Sequence, residues 1–293
     1  MGLLDGRVAV VTGGGQGIGR SHALLLASEG ARVVVNDLGG PAENGGLAPA
    51  QLVVDEIVSA GGEAVANTED ITSWEGGRAL IDQAVEHFGG LDAVVNNAGV
   101  VRDKPIVTMT ENDWDLVVKV HLKGHFVPTH WAADYWRSRS KSGAPVSGRL
   151  IHTSSNSGLI GNPGQGNYSA AKAGIASFSI VCAKELERYG VKSNCVAPSA
   201  RTQMTTSTEW LRDLMGEPPE DGQFDIWDPA NNSPLVAYLA SEQCAFTGST
   251  FTTRGGTVGI MAPWRLDEQV ERNRRWTAVE LVEALEPFSA VPA

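Results

Sequence analysis

The strongest constraint on this chain is a repeated alternation of short β-branched runs with longer helical patterns. RVAVVT (7–12), ARVVVND (31–37), EAVAN (63–67), LDAVVNN (91–97), GRLIHTS (148–154), VKSNCVA (191–197) and STFTTRG (249–255) read as strands. Between them, 17–30, 50–60, 73–88, roughly 111–139, 167–189 and 229–241 read as helices. Strand, helix, strand, repeated, implies right-handed βαβ units and a parallel sheet with helices on both faces. Continuous apolar strands fit that burial. The expectation is a single α/β domain of doubly wound type over 1–256. Two irregular pieces, 38–49 and about 200–228, interrupt it, and an extension at 257–293 packs on the domain or at a subunit interface.

The 293 residues suit one large domain with a full core. Thirty-four acids against 23 bases give a net charge of −11, which argues against nucleic acid and anionic membrane as partners. No run of about 18 apolar residues is present, so no membrane span is expected. The first residues show neither a basic region nor a long apolar one, and the default is a cytoplasmic protein. Cys182, Cys195 and Cys244 form no CxxC pair and read as small buried apolar groups. His121 and His125 are four apart, but no third ligand is evident, so no metal site is expected.

The 34 glycines have no collagen-like period and must serve local needs. Thr12-Gly13-Gly14-Gly15-Gln16-Gly17-Ile18-Gly19 follows the first strand and opens the first helix. There, backbone N–H groups at a helix N-terminus can meet a pyrophosphate. The bland alternative is a tight strand–helix turn. Asp37, ending the second strand, can accept hydrogen bonds from adenosine ribose hydroxyls and would repel a 2′-phosphate, which favours NAD over NADP. Alternatively it caps the glycine-rich loop.

Tyr168 and Lys172 are four apart and share a helix face. A nearby ammonium lowers a phenol's pKa, and a phenol tuned towards neutrality can exchange a substrate hydroxyl proton. Ser155 sits just past the fifth strand, at the sheet edge where such folds bind ligands, and can bond the same oxygen. Taken alone, YxxxK also occurs on plain solvated helices.

TGGGQGIG (12–19), Asp70, NNAG (96–99), Ser155, YSAAK (168–172), Asn194…Pro198 and TG…GG (247–256) occur in the order of the classical short-chain dehydrogenases/reductases, which the chain resembles over about 5–256. The resemblance implies a Rossmann-type domain with seven parallel strands and hydride exchange between a secondary alcohol or ketone and a nicotinamide. It implies a cofactor cradle of Gly13, Gly15, Gln16, Gly17, Ile18, Gly19 and Asp37. Asp70 and Ile71 would flank the adenine, while Asn96, Asn97, Ala98, Gly99, Tyr168, Lys172 and Pro198 would line the rest.

VVVNDLGG (33–40), GGEAVAN (61–67), GVVRD (99–103) and DWDLVVKVHLKGHF (113–126) are similar to the (3R)-hydroxyacyl-CoA dehydrogenase unit of multifunctional enzyme type 2 and its bacterial single-domain relatives. Most family members have Asn where this chain has His121, and that branch also carries His. The resemblance therefore gives His121 a part in proton relay; a histidine bonded to a core carbonyl is the alternative. Pro198-Ser199 departs from the family's Pro-Gly. By the same resemblance a homodimer or homotetramer is expected.

Residues 205–230 lie where the family carries a substrate lid. Seven acids (Glu209, Asp213, Glu217, Glu220, Asp221, Asp225, Asp228) face one base, Arg212. With Trp210, Leu211, Leu214, Met215, Phe224, Ile226 and Trp227 interleaved, the expectation is acids outside and apolar groups inside, over a hydrophobic alcohol, ketone or acyl-CoA. An ordinary packed surface helix is the alternative. Bases for a CoA phosphate are few: Arg102, Lys104 and Arg201. A free hydroxysteroid or terpenoid fits the lid as well, and a nucleotide-binding regulator without turnover is the remaining reading.

Overall fold

The computed structural model describes residues 2–39, 48–206, 209–220, 222–262, 264, 266 and 268–288, with the backbone alone at 209 and 210. Most of the glycine- and proline-rich piece at 38–49, and Asp221 of the expected lid, lie outside the described residues. The chain divides into two compact units, 1–261 and 262–293.

In the first unit, β1 (Val8–Thr12), β2 (Arg32–Asn36), β3 (Glu63–Asn67), β4 (Ala93–Asn96), β5 (Gly148–Thr153), β6 (Val191–Pro198) and β7 (Thr250–Arg254) form the expected strands. They lie in the order 3-2-1-4-5-6-7, all parallel. An eighth strand, β8 (Thr257–Met261), pairs antiparallel with β7. The expected extension thus begins with a strand. Gly255, at φ 54°, turns the chain back after β7, and TVGIM continues the sheet.

Successive side chains of each inner strand point to opposite layers. Ala9, Val11, Val33, Val35, Val95 and Ile151 pack on one face. Val8, Val10, Val34, Val94 and Leu150 pack on the other, with Trp136. Each fully buried Val, Leu or Ile among them contributes roughly 1.5–3 kcal/mol.

The helices are α1 (Gly17–Ser28), α2 (Pro49–Ser59), α3 (Trp74–Phe88), α4 (Glu111–Val118), α5 (Gly124–Lys141), α6 (Asn156–Ile160), α7 (Gly166–Leu186), α8 (Gln203–Thr206), α9 (Glu209–Met215) and α10 (Ser233–Ala240). The expected single helix over 111–139 is interrupted by a π turn, Lys119–Lys123. Pro128, lying inside α5, withholds its N–H and crowds the Gly124 carbonyl at the end of that turn. The widened turn carries His121, and such turns recur at functional sites.

In the second unit, α11 (Ala278–Leu285) starts with a reciprocal cap between Thr277 and Glu280. Glu280 also pairs with Arg272 at 2.6 Å and Arg274 at 2.5 Å. Among the described residues no helix is long and apolar enough to cross a membrane.

Candidate active site

The site lies beyond the carboxyl ends of β1, β4, β5 and β6, the edge where open α/β sheets bind ligands. Thr12 fastens two of its loops. Its hydroxyl accepts the Asn97 and Ala98 N–H groups at 2.9 and 3.2 Å, and Asn97 Nδ2 returns bonds to the Thr12 and Gly13 carbonyls. A side chain at Gly13, whose φ is 61°, would put its Cβ 2.7 Å from Ala98 Cα. At Gly19 a Cβ would stand 2.0 Å from the Gly13 carbonyl oxygen. The turn is thus closed by backbone contacts that only glycine permits. Ile18 lies within the first turn of α1.

No side chain caps α1, and its first turn holds no acid. Its leading N–H groups and dipole are left for an anion, which is what a dinucleotide pyrophosphate requires. The residues present fit that group. Asp37 grips the same turn: Oδ2 accepts the Gly15 N–H and Oδ1 the Gly39 N–H, both at 3.0 Å. The capping alternative for Asp37 therefore describes the structure, and the carboxylate still stands beside the turn. Asp70 bonds the Thr72 N–H and hydroxyl at 2.8 and 2.7 Å. Burial works against its charge, but the Thr72 bonds, with Lys119 and Lys123 near, hold its carboxyl below the usual range. Ile71 is buried beside it, under Gly124.

Asn96 departs from expectation. Its side chain is fully buried and donates to Thr129 Oγ1 at 3.1 Å, in the layer beneath α5, so it does not line the cleft. Its neighbour Asn97 does the tying. Pro198 ends β6, and the chain then crosses so that Thr202 Cγ2 would lie 3.5 Å from a Cβ on Gly17.

Ser155 caps α6, its Oγ accepting the Ser157 N–H at 3.2 Å. Its side chain also stands close enough to the Tyr168 phenol on α7 to favour the ionised form. One turn on, Lys172 is almost fully buried and donates from Nζ to the Thr153 carbonyl at 2.6 Å. That nitrogen stands 5.6 Å from the Tyr168 ring centre. The three expected side chains thus converge.

Their charge states differ from the sequence expectation. Burial pushes the Tyr168 phenol up to about 12, against the opposing effect of the nearby Ser155 side chain. Burial also brings the Lys172 amine down to about 7. The lysine does not depress the phenol in the free protein, because it sits in the same low-dielectric layer and is itself half discharged near neutrality.

His121 sits in the π turn, with Nε2 2.7 Å from the Val100 carbonyl oxygen and 3.1 Å from the Val100 nitrogen. The two contacts need opposite tautomers, so one is made at a time. Burial, and then Lys172, hold its pKa well below the usual value, and the ring is neutral. The carbonyl-bonded alternative for His121 describes the structure, and the ring also abuts Tyr168.

Several tethers were not read from the sequence. Gln165 is buried, accepts from Ser157 Oγ at 2.7 Å and Asn162 Nδ2 at 2.9 Å, and donates to Asp103 at 2.8 Å. Asn167 accepts the Tyr168 N–H at 2.7 Å and donates to the Arg102 and Asp113 carbonyls. Both polar residues sit within the GQGNYSAAK stretch, between Ser155 and Lys172, where a polar side chain has backbone to anchor.

The lid turns out differently from its expected amphipathic form. Met215 is buried, whereas Leu214, Phe224 and Ile226 are exposed among the acids. Arg201 is no free base. It pairs with Asp225 at 2.5 Å and donates to the Met215, Gly216 and Glu217 carbonyls. Lys104 is likewise taken, by Asp113 at 2.8 Å. Among the described residues, Arg102 makes a hydrogen bond to the Val101 carbonyl at 2.7 Å. Among the described residues no three His, Cys, Asp or Glu side chains converge as metal ligands.

A glycine cradle at a helix N-terminus, beside a Ser–Tyr–Lys set at one sheet edge, defines an oxidoreductase that acts on CH–OH groups with a nicotinamide cofactor. The chain belongs to the short-chain dehydrogenase family, whose model matches residues 7–212. It is 42% identical to the hydroxyacyl-CoA dehydrogenase ChsB1 of Mycobacterium tuberculosis, over 98% of this chain and 90% of that one. Peroxisomal multifunctional enzyme type 2 of Drosophila melanogaster is 44% identical over 86% of this chain, which spans 39% of that longer protein. Among solved structures, a short chain dehydrogenase from Mycobacterium avium matches with a TM-score of 0.89 and 49% identity, covering 99% and 98% of the two chains.

Proposed function

We propose that the protein is an NAD(H)-dependent dehydrogenase of a (3R)-hydroxyacyl-CoA with a bulky hydrophobic acyl group, such as a fatty or steroid side-chain acyl-CoA. The observation that carries the redox chemistry is the convergence of Ser155, Tyr168 and Lys172 on one point of the sheet edge. The acyl-CoA class rests on the relatives named above. NAD rests on the Asp37 carboxylate beside the glycine turn, where a 2′-phosphate would meet like charge.

A bound oxidised nicotinamide supplies the hydride acceptor. The chain does the rest. Gly13 to Gly19 and the α1 N-terminus hold the pyrophosphate, Asp37 the adenosine ribose, Asp70 and Ile71 the adenine, and Asn97, Ala98, Gly99 and Pro198 the remaining length. Ser155 bonds the substrate oxygen, and Tyr168 takes its proton in oxidation or returns it in reduction. A phenol at about 12 is stored protonated, the form that ketone reduction consumes. Lys172, behind the ring, can offset part of the phenol's burial only while it carries its proton.

A second reading, a free hydroxysteroid or terpenoid as substrate, is favoured by the engagement of Arg201 and Lys104, which leaves Arg102 as the one base of the three for CoA phosphates. Comparing kcat/KM for a 3-hydroxyacyl-CoA and a free hydroxysteroid, with NAD and with NADP, decides. Preference for the free alcohol rejects the CoA reading, and NADP preference rejects the role given to Asp37. Binding of NAD without turnover of any alcohol would instead revive the regulator.

Exposed Leu116, Phe126 and Val181 support a homo-oligomer, which sedimentation tests. Three free, buried cysteines support a reducing compartment such as the cytoplasm.

A further inference from the structure

Ser155 and Tyr168 approach one point from different helices, so those helices must be held in register. α6 is five residues long and lies directly on α7. A Cβ on Gly158 would stand 2.6 Å from Lys172 Cβ and from the Lys172 carbonyl carbon. A helix that short is not stable on its own account. Its anchorage is polar. Ser157 donates from Oγ to Gln165 Oε1 at 2.7 Å, and the Ser157 N–H donates to Ser155 Oγ at 3.2 Å. Gln165 thus reaches Ser155 through Ser157.

Gln165 stands just before α7, three residues ahead of Tyr168, and is buried. Its hydrogen bonds leave the amide one orientation. A carboxylate only accepts, so Nε2 faces Asp103, at 2.8 Å. Oε1 then faces Ser157 Oγ and Asn162 Nδ2, which donate to it at 2.7 and 2.9 Å. Turned end for end, the amide would set its carbonyl against the Asp103 carboxylate and its NH₂ against the Asn162 NH₂. The loop that carries Asp103 is itself pinned to the same stretch. The Lys104 N–H donates to the Gly164 carbonyl at 2.8 Å, Lys104 and Gln165 form a parallel bridge, and Asn167 Nδ2 donates to the Arg102 carbonyl at 3.1 Å. The β4–α4 loop, the start of α6 and the start of α7 are therefore one clasp, with the Gln165 amide at its centre.

We propose that Gln165 is a positioning residue that aims the Ser155 hydroxyl, and that Asp103 fixes the direction in which the Gln165 amide acts. The Ser157 N–H occupies one lone pair of Ser155 Oγ and sets the bearing of that atom. The Ser155 O–H is left to donate to a substrate oxygen. The inference rests on the reading of Ser155 as the group that bonds that oxygen.

The charged and titratable groups about the clasp are few. Asp103 lies between Arg102 and Lys104 on its own loop, and Lys104 is taken by Asp113 at 2.8 Å. On α7 the facing group is Tyr168, whose phenolate the Asp103 charge disfavours. α6 brings no charge. Burial raises the Asp103 carboxyl, and the Gln165 bond opposes it.

The test, on the full chain, reverses the two polar ends. Gln165→Glu keeps the size and the acceptor for Ser157 but sets a second carboxylate against Asp103. Two such groups share a proton in acid and repel once both ionise, so the ratio of this variant's kcat to the parent's should fall about tenfold between roughly pH 6 and pH 8. KM should stay within about threefold, because the lost aim is felt mainly in the transition state. Asp103→Asn combined with Gln165→Glu reverses the bond, with amide now donating to carboxylate, and should restore kcat to within about threefold of the parent at both pH values. A purely structural loss would lower the melting temperature without moving the kcat ratio with pH. A ratio that does not change with pH, or a reversed pair that stays unfolded or about tenfold slow, overturns the positioning role. Should Gln165→Glu not fold, the reversed pair decides alone. Should the parent oxidise no alcohol, the function proposed above fails, and hydrogen exchange over 155–166 still decides the clasp. Exchange should be faster in Gln165→Glu at pH 8 and normal in the reversed pair; unchanged exchange in the single variant overturns it.

Discussion

The His121 imidazole meets the Tyr168 phenol edge-on, with ring centres 5.1 Å apart and planes at 88°. Gly99 makes this possible, since a Cβ there would stand 2.3 Å from His121 Cε1. Gly99→Ala should push the imidazole against the phenol. We expect kcat to fall at least tenfold, with a lower melting temperature; near-normal turnover would show that the His121 position is not needed.

Removing the Tyr168 hydroxyl should leave the fold intact, because the ring remains. Tyr168→Phe is expected to lower kcat by about 10²–10⁴, the usual weight of a positioned acid or base. Circular dichroism should match the parent. Turnover within a factor of a few would refute the assigned role.

The buried histidines predict a steep loss of stability in mild acid. Burial takes His22 and His152 down to about 3, and burial with Lys172 holds His121 and His125 well below their ordinary value. Each is neutral in the fold but takes up a proton below about 6.5 when unfolded. Stability is therefore complete above that pH and falls as pH drops, by up to about 1.4 kcal/mol per pH unit for each ring. Lys172 acts above neutrality: folded at about 7 and unfolded near 10.5, it should add stability as pH rises between those values. Urea titrations at pH 7, 6 and 5 check the first slope, and a flat response would contradict neutral burial.

Asp37→Asn keeps an acceptor for the Gly15 N–H but removes the charge. The ratio of kcat/KM for NAD to that for NADP should drop at least tenfold, mainly through better use of NADP. An unchanged ratio would mean that the carboxylate serves the turn alone.

Arg201 ties Asp225 and three carbonyls of the lid. Arg201→Met should speed hydrogen exchange over 211–225 and raise the substrate KM more than it lowers kcat. Unaltered exchange would place the lid's anchorage elsewhere.

The sheet was legible because β1 and β4 are buried throughout and their VAVV and AVV read as apolar runs, while β5 keeps only Leu150 and Ile151 between buried polar residues. The Ser155–Tyr168–Lys172 set was legible because helical spacing fixes the last two and a strand end fixes the first. The π turn was not, because Lys119–Lys123 has no composition of its own and Pro128, which forces the widening, lies a turn later inside α5. The charges of Tyr168 and Lys172 were misread because spacing shows a neighbour and not the water that burial removes. Arg201 looked like a spare base because its partners, Asp225 and the carbonyls of Met215, Gly216 and Glu217, lie 14 to 24 residues away.

Thr153 holds the Lys172 amine, and Ser155 follows two residues later on the same segment. Chemistry is thus mounted on one caliper, whose jaws are the end of β5 and the face of α7. Arg201, three residues past β6, gathers Met215, Gly216, Glu217 and Asp225, and Arg254 of β7 lies over the Trp227 ring. The stretch expected to choose a substrate therefore hangs from the ends of β6 and β7, while the reacting groups hang from β5 and α7. Substitutions between 205 and 230 are expected to change what is oxidised more than how.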